Sequence, residues 1–583
     1  AMSPGKLCSL VLLALGALAA VVALVVTLTR PTCGPQRYVH GAVAADTETC
    51  SLIGRDILKS GGTAVDAAIA GLICTSVMNP QSSGLGGGVV FTIYNAKTGR
   101  VEVINARETV PREFPHNLLS GCATGIHIGP HWIAVPGELR GYEAAHQRHG
   151  HLPWKALFEP TIKLLSEPLV ISPVMDKIFR HPDFSSPGKQ LCPLICDGER
   201  FLKLGESFRW PALQQTLRAV AENGANAFYE GQIGKALVED LRKAGSSISL
   251  EDLQEYKAEV SSALSITLNN HTRVFAPGPP LGGAVLMLIL KILEEYKLSE
   301  ASLATPEEKV ETYHRIAEAL KFGNILKPHM SDPAFSEAQV LVETMLSDKF
   351  AEFVRQQIDT RGDHPLKHYD LLESIYSHRY QSKGTSHISV ITADGSAVSA
   401  TSTINYPFGS FVYSSQTGII LNNELADFCM ANRSIQSGKH SHPQNTTGGQ
   451  GMDTQAMHKW TGREKPPSAM VPSILISKTG DMLVIGGAGG AWIISATAMA
   501  IINKLWFGYD LEHAISAPIM HTDGANILFE EHFSQEVRGG LLGRGHKEKK
   551  KNLMMNVVQG ISKDGKCISA YSDKRKLGKS AGY

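Results

Sequence analysis

The chain has 583 residues, 43 % apolar and 19 % charged, too long for one small domain and long enough to bury a large core. Its 56 basic and 55 acidic residues leave a net charge of +1, so no electrostatic footprint for nucleic acid is present. The one basic run, His546–Lys551, is short, contains Glu548 and reads as a solvated loop.

The first predicted element is apolar. Leu10 to Leu28 carries no charge and, at about 19 residues, is near the length a helix needs to cross a bilayer. A cleaved signal peptide would have a shorter apolar region and a small-x-small exit. No such exit precedes Thr29-Arg30, so residues 10–29 are expected to stay as an anchor. Lys6 and Arg30 flank both ends, and charge alone leaves the orientation open. Next come two helical stretches, Thr47–Lys59 and Ala64–Val77, separated by Ser60-Gly61-Gly62. They carry Cys50 and Cys74; a bridge between them closes a loop of about 25 residues, worth on the order of 3 kcal/mol. Val89–Tyr94 and Val101–Asn105 read as a β-hairpin, and Arg107 follows it. A guanidinium can grip a carboxylate through two parallel hydrogen bonds, or simply pair with its neighbour Glu108. Cys192-Pro-Leu-Ile-Cys196 can close a tight loop. Sequons stand at Asn270, Asn432 and Asn445. Anchor, sequons and pairable cysteines together place the bulk of the chain outside the cytosol. Pro306–Phe322 and Leu341–Gln357 are predicted helices, and the polar stretch Ile358–Gly384 reads as a mobile linker.

Beyond it the texture changes. Thr385–Thr392 and Ser396–Asn405 alternate around Ala393-Asp394-Gly395, a three-residue hairpin loop with glycine in the left-handed position. That register pairs Thr392 with Ser396 and sets Thr385 opposite Thr403. Alone, Gly384-Thr385 is only the start of a strand. If the bond before Thr385 is cut, its freed α-amine, with a reference pKa near 8, becomes a base beside its own hydroxyl. Gly384 gives a small neighbour for the strained peptide this requires. Glu424 and Asp427 follow, able to bind an ammonium or to stand as solvated acids. Ala431–Lys465 is polar and reads as a long surface loop. Met482–Ile485 is a predicted strand, then Gly486-Gly-Ala-Gly-Gly490, then a helix from about Ala491 to Leu505. Backbone N–H groups of Gly489 and Gly490 ahead of a helix favour negative charge; with a nucleophile nearby they form an oxyanion hole, and without one they are packing glycines. Gly578-Lys-Ser-Ala-Gly582 matches G-x-S-x-G formally, but that motif needs a helix after it and only Tyr583 follows. No C-x-x-C pair or H-E-x-x-H supports a metal, and no nucleotide motif supports a cofactor.

Together these residues resemble the γ-glutamyl transpeptidase family from about Val43 to Tyr583. The similarity rests on Asn79-Pro-Gln-Ser-Ser-Gly-Leu-Gly-Gly-Gly88, Asn105-Ala-Arg-Glu-Thr109, Val135-Pro-Gly-Glu138, Gly384-Thr-Ser-His387, Asp394–Asn405, Gly486–Gly490, Ser572-Asp573 and Ala581-Gly-Tyr583. Within the family, Arg355–His364 looks most like the type 5 γ-glutamyl leukotrienase branch. The resemblance implies an α/β N-terminal-nucleophile hydrolase with an αββα sandwich, cut before Thr385. It implies a cytoplasmic tail 1–9, a transmembrane signal-anchor 10–29, a large extracellular subunit 30–384 and a small catalytic subunit 385–583. That is a processed heterodimer, single-pass type II in the plasma membrane. Thr385 is then nucleophile and base, Thr403 its hydrogen-bond partner, and Gly489 and Gly490 the oxyanion donors. Arg107 and Ser468 bind the α-carboxylate of the glutamyl group, and Asn405, Glu424 and Asp427 its α-amine. The family's disulfides match Cys50–Cys74 and Cys192–Cys196. The implied substrates are glutathione, its S-conjugates and leukotriene C4 (giving leukotriene D4), with water, amino acids or dipeptides as acceptors, and no cofactor.

One departure matters: where the family usually has two serines before Met-x-Pro, this chain has Ser468-Ala469. Losing a hydrogen bond to a charged group costs roughly 1.5–3 kcal/mol of donor binding. The alternative is therefore a catalytically weakened or inactive surface glycoprotein of the same fold. A third reading, an amidase akin to cephalosporin acylases, fits Arg107, Glu424 and Asp427 poorly, because together these groups recognise a zwitterion.

Overall fold

The computed structural model describes residues 4–29, 33, 37–124, 127–372, 384–430, 463–550 and 556–583. Sequons Asn432 and Asn445 lie outside them; Asn270 is exposed in a turn, its Oδ1 accepting the Thr272 N–H at 3.0 Å.

Two seven-stranded sheets form the centre. In chain order their strands are β1 (Arg37–Tyr38), β2 (Gly41–Ala44), β3 (Gly88–Asn95), β4 (Arg100–Ala106), β5 (Glu259–Ser262), β6 (Leu264–Thr267), β7 (Arg273–Ala276), β8 (Ser386–Thr392), β9 (Ala397–Thr403), β10 (Ser473–Ile476), β11 (Met482–Ala488), β12 (Val557–Asp564), β13 (Cys567–Ser572) and β14 (Ala581–Gly582). One sheet runs β14-β2-β8-β9-β3-β4-β5, the other β1-β13-β12-β11-β10-β7-β6. The β8–β9 hairpin has the expected register: Ser386 lies opposite Ser402, Thr392 N–H bonds to Ser396 O, and Gly395 has φ +85°. Ser580 of the formal G-x-S-x-G match sits beside edge strand β14 and donates to Ala570 O.

Alternation sorts the side chains of the hairpin. Ile388, Val390, Val398 and Ala400 face a core that includes helices Glu48–Lys59 and Ala64–Met78. Thr47 and Thr63 cap those helices, and Cys50 is bridged to Cys74 between them. A second core, with helices Gly283–Glu294, Pro306–Asn324 and Ile493–Leu505, covers the other sheet. The layers are helix, sheet, sheet, helix. Ala42, Ala44, Ile391, Ile474, Val484 and Ile561 pack between the sheets, but part of that layer is polar. Ser389 Oγ donates to Gln559 O, Ser399 Oγ to Ile485 O and Thr92 Oγ1 to Pro472 O. His387 lies among them, 2.8 Å from Thr401 Oγ1 and 3.0 Å from Ser389 Oγ, and burial pushes its pKa down to about 3. A Cβ at 486 would sit 2.2 Å from the His387 ring, so the sheets approach only over glycine.

Pro4–Thr29 is a 26-residue helix, with Val11, Leu12, Leu13, Leu15, Leu18, Val21 and Val22 exposed. Among the described residues no helix is long and apolar enough to cross a membrane.

Three expectations change. Leu341–Gln357 is two helices, Ala338–Met345 and Asp348–Gln357, because Ser347 caps the second by accepting the Phe350 N–H. The linker reading fails up to residue 372: Tyr369 is fully buried, its hydroxyl 2.8 Å from Glu318 Oε1, and Asp359 O bonds His314. Residues 373–383 lie outside the described ones. His546 of the basic run is buried, 2.8 Å from both His314 and Lys321, while Lys547–Glu548 forms a short strand and Lys549 pairs with Asp523. In both places buried charges of the helix Pro306–Asn324 required partners, and distant residues supply them.

Glu138, from the Val135-Pro-Gly-Glu138 motif, is fully buried; burial pushes its pKa up to about 8 against the pull of hydrogen bonds from Tyr142 and Ser402. A carboxyl held neutral by the fold loses stability as pH rises from its ordinary 4.5 to about 8. Glu138→Gln should match wild type below pH 4.5 and gain on the order of 1–3 kcal/mol by pH 8 in denaturant titrations. A pH-independent difference would refute this assignment.

Candidate active site

The chain enters β8 through a strained peptide. Thr385 has φ +115°, a region β-branched residues rarely occupy. At position 384 a Cβ would lie 2.1 Å from Asn405 O, so only glycine fits. The Gly384 carbonyl accepts the Gly489 N–H at 3.3 Å. Gly489 and Gly490 have φ +114° and +60°; Gly489 caps the 3₁₀ turn Gly490–Trp492, which leads into the helix starting at Ile493. The amides are thus presented by a glycine turn ahead of the helix rather than by its first turn.

Thr385 Oγ1 stands 3.1 Å from Thr403 Oγ1, which also accepts the Asn405 N–H at 2.9 Å. Behind the threonine, Lys576 Nζ donates to Thr385 O at 2.5 Å and lies 3.2 Å from Asp46 Oδ2 and 3.3 Å from Ser82 Oγ. Sequence reasoning missed Lys576. It lies in the triplet Lys574-Arg575-Lys576, just beyond a motif residue, and nothing local separates it from its solvated neighbour Lys574.

A small pocket in front is lined by Arg107, Thr385, Thr403, Glu424, Asp427, Ser468, Ala469 and Gly490, among others. Arg107 is 1 % exposed. Its Nη1 donates to Glu424 Oε2 at 2.8 Å, its Nη2 to Asp427 Oδ2 and to Pro467 O, and its Nε to Pro466 O at 3.1 Å. Glu108 adds a third carboxylate at 3.5 Å. Burial works against the guanidinium's charge, but Glu424, Asp427 and Glu108 outweigh it and raise its pKa. Burial also raises the pKa of Glu424 and Glu108, with the Arg107 charge opposing. Sequence reasoning set Arg107 and the acids at opposite ends of a ligand; the structure joins them directly, because a charge this buried needs opposite charges beside it. Glu424 Oε1 has no hydrogen-bond partner among the described residues. Ser468 Oγ accepts the Met470 N–H at 3.2 Å. Asn405 is outside the described lining, with φ +74° and its Nδ2 on Asn423 O.

Among the described residues three groups have metal-ligand spacing: Cys122, His127 and Cys429; His314, Glu318 and His546; and Glu318, His364 and His368. The sulfurs of the first are joined as a disulfide, and in the others Lys321 lies 3.5 Å from Glu318 and repels a cation. Cys192 is bridged to Cys196.

Residues 50–583 match the model of the Gamma-glutamyltranspeptidase family. Human "Glutathione hydrolase 5 proenzyme" is 48 % identical, aligned over 99 % of each chain. "Scoloptoxin SSD14" of Scolopendra dehaani is 34 % identical, over 93 % of this chain and 92 % of that one. The crystal structure of cephalosporin acylase from Bacillus halodurans shares the fold, with TM-score 0.77 and 22 % identity over 95 % of this chain and 99 % of that one. By the extent of both sequence matches, this chain belongs to the γ-glutamyltranspeptidase family.

Proposed function

We propose that the chain cuts itself before Thr385 and then hydrolyses or transfers γ-glutamyl groups of glutathione and its S-conjugates. The observation that carries this reading is one peptide bond. It joins a glycine with no room for a side chain to a threonine at φ +115°, and its carbonyl rests on Gly489 N–H. Attack of Thr385 Oγ1 on the Gly384 carbonyl carbon exchanges the amide for an ester and relieves the backbone strain. Water then hydrolyses the ester, leaving a carboxylate at 384 and an α-amine at 385. That amine takes the hydroxyl proton as Oγ1 attacks the γ-carbonyl of a donor. The amine's proton passes to the departing amino group of Cys-Gly or its S-conjugate. Water, an amino acid or a dipeptide takes the acyl group from Oγ1, and Gly489 and Gly490 offer amides to the oxyanion.

Donor recognition is an exchange of ion pairs. The donor's α-carboxylate takes over Arg107, with Ser468 alongside, and its α-ammonium takes over Glu424 and Asp427. Asn405 contributes through its main chain and by shaping the Thr403 hydroxyl. Ala469, whose methyl lines the pocket, offers no second hydroxyl, so donor binding is weaker than with a serine there. Extension to leukotriene C4 rests on the branch resemblance of Arg355–His364 alone.

Residues 10–29 are proposed as a signal-anchor, with 1–9 cytoplasmic and the body outside the plasma membrane. What supports this is the uncharged run Leu10–Leu28 and the apolar side chains exposed between Val11 and Val22. Deleting residues 1–29 should move the protein from the membrane pellet to the soluble fraction; an unchanged pellet would discount the anchor.

Wild-type protein should show a new N-terminus at Thr385 by mass spectrometry and release glutamate from glutathione. Thr385→Ala should remain one chain and lose at least about 10³-fold in kcat. Equal turnover by both proteins would remove Thr385 from the mechanism. Lys576 supplies a second check. A cation fixed on Thr385 O favours the neutral form of the amine nearby. Lys576→Gln should therefore move the acidic limb of kcat/KM to higher pH by about one unit. A limb that stays in place would refute this electrostatic role.

A further inference from the structure

Cys122 is bridged to Cys429, 307 residues on, and Cys33 to Cys567, 534 residues on. Both bridges span the Gly384–Thr385 junction, whereas Cys50–Cys74 and Cys192–Cys196 lie before it. We propose that the two pieces of the cut chain remain covalently joined, and that Cys122–Cys429 is a positioning bridge that holds Glu424 and Asp427 against Arg107. The first half rests on the proposed cut at Thr385.

The argument is one of attachment. Glu424 and Asp427 sit on a seven-residue 3₁₀ turn, Glu424–Met430, that belongs to neither sheet. Runs of that length are uncommon, because 3₁₀ hydrogen bonds are poorly aligned, so the turn needs an external hold. Cys429 lies two residues past Asp427 and is tied to Cys122 on a second 3₁₀ turn, Leu118–Thr124. Leu425, Ala426, Phe428 and Cys429 pack with Val110, Leu118, Trp132 and Ala134 around the bridge. The chain from Arg107 through Cys122, across the sulfurs and back to Asp427 is closed by the Arg107–Asp427 ion pair. Cutting at 384 puts the guanidinium on one piece and both acids on the other. The shared sheet holds the two pieces together but does not include this turn; the bridge ties the turn itself to the piece that carries Arg107. At the edge of the second sheet, β1 pairs with β13, and Cys33–Cys567 joins the two pieces there.

The test begins with purified, processed protein, alkylated before denaturation. One species on a non-reducing gel and two pieces, 1–384 and 385–583, on a reducing gel are expected. Two pieces on both gels would overturn the covalent link while upholding the cut. A single chain on both gels would instead overturn the cut. In that case a non-reduced digest still decides the bridge: a linked Cys122–Cys429 peptide pair supports it. Two alkylated thiols, or zinc retained by Cys122, His127 and Cys429, overturn it.

The positioning role is read from Cys122→Ala/Cys429→Ala. The KM for a γ-glutamyl donor should rise about tenfold while kcat stays within about twofold. An unchanged KM, or a loss confined to kcat, overturns the role. Should that variant fail to fold, Cys33→Ser/Cys567→Ser protein can be treated with dithiothreitol, which gives two electrons and two protons to the bridge and leaves as its cyclic disulfide. KM should then rise in step with thiol labelling at Cys429; labelling without a change in KM overturns the role.

Discussion

A guanidinium taken out of water must be met by opposite charge, and Arg107 is met by acids more than 300 residues away in the chain. This requirement organises the pocket. It draws the turn bearing Glu424 and Asp427 down onto the end of β4, and it brings the Pro466 and Pro467 carbonyls in from a third direction. Removing one member of a buried pair strands the other and costs about 3–5 kcal/mol, so these charges hold the fold closed around the pocket. A zwitterion is the natural counterpart of such a cluster. It brings one charge of each sign and leaves the local sum unchanged.

The second constraint is steric. Asn405 O closes the space beside Gly384, and Thr385 then enters β8 with a backbone angle that its branched side chain disfavours. The hairpin over-determines this geometry: β8 is paired on both sides, and Lys576 fixes the Thr385 carbonyl from behind. Strain is thereby concentrated at one junction, in a buried and well-braced setting.

What was legible in the sequence was what short-range physics sets. The loop Ala393-Asp394-Gly395 fixed the register and hence the Thr385–Thr403 contact, and the break at Ser60-Gly61-Gly62 separated the two helices that cover the first sheet. Ser347 broke one predicted helix because a cap inside a periodic pattern is easily passed over. What was not legible is long-range. Lys576 reads like any lysine of a basic triplet until β13 carries it under Thr385. Tyr369 and His546 look solvated until Glu318 and Lys321 claim them. Cys33–Cys567 and Cys122–Cys429 have no local signature, since nothing within a few residues of any of these cysteines hints at its mate. The direct pairing of Arg107 with the acids was hidden for the same reason.

The strand order of the first sheet has a consequence for how such a molecule can be made. Strands from after the junction (β8, β9 and β14) are interleaved with strands from before it (β2, β3, β4 and β5): β2 lies between β14 and β8, and the β8–β9 hairpin lies between β2 and β3. Translated from two separate messages, each half would carry bare strand edges whose partners sit on the other polypeptide, a template for aggregation. Continuity at residue 384 therefore keeps both sets of strands on one polypeptide while the sheet closes.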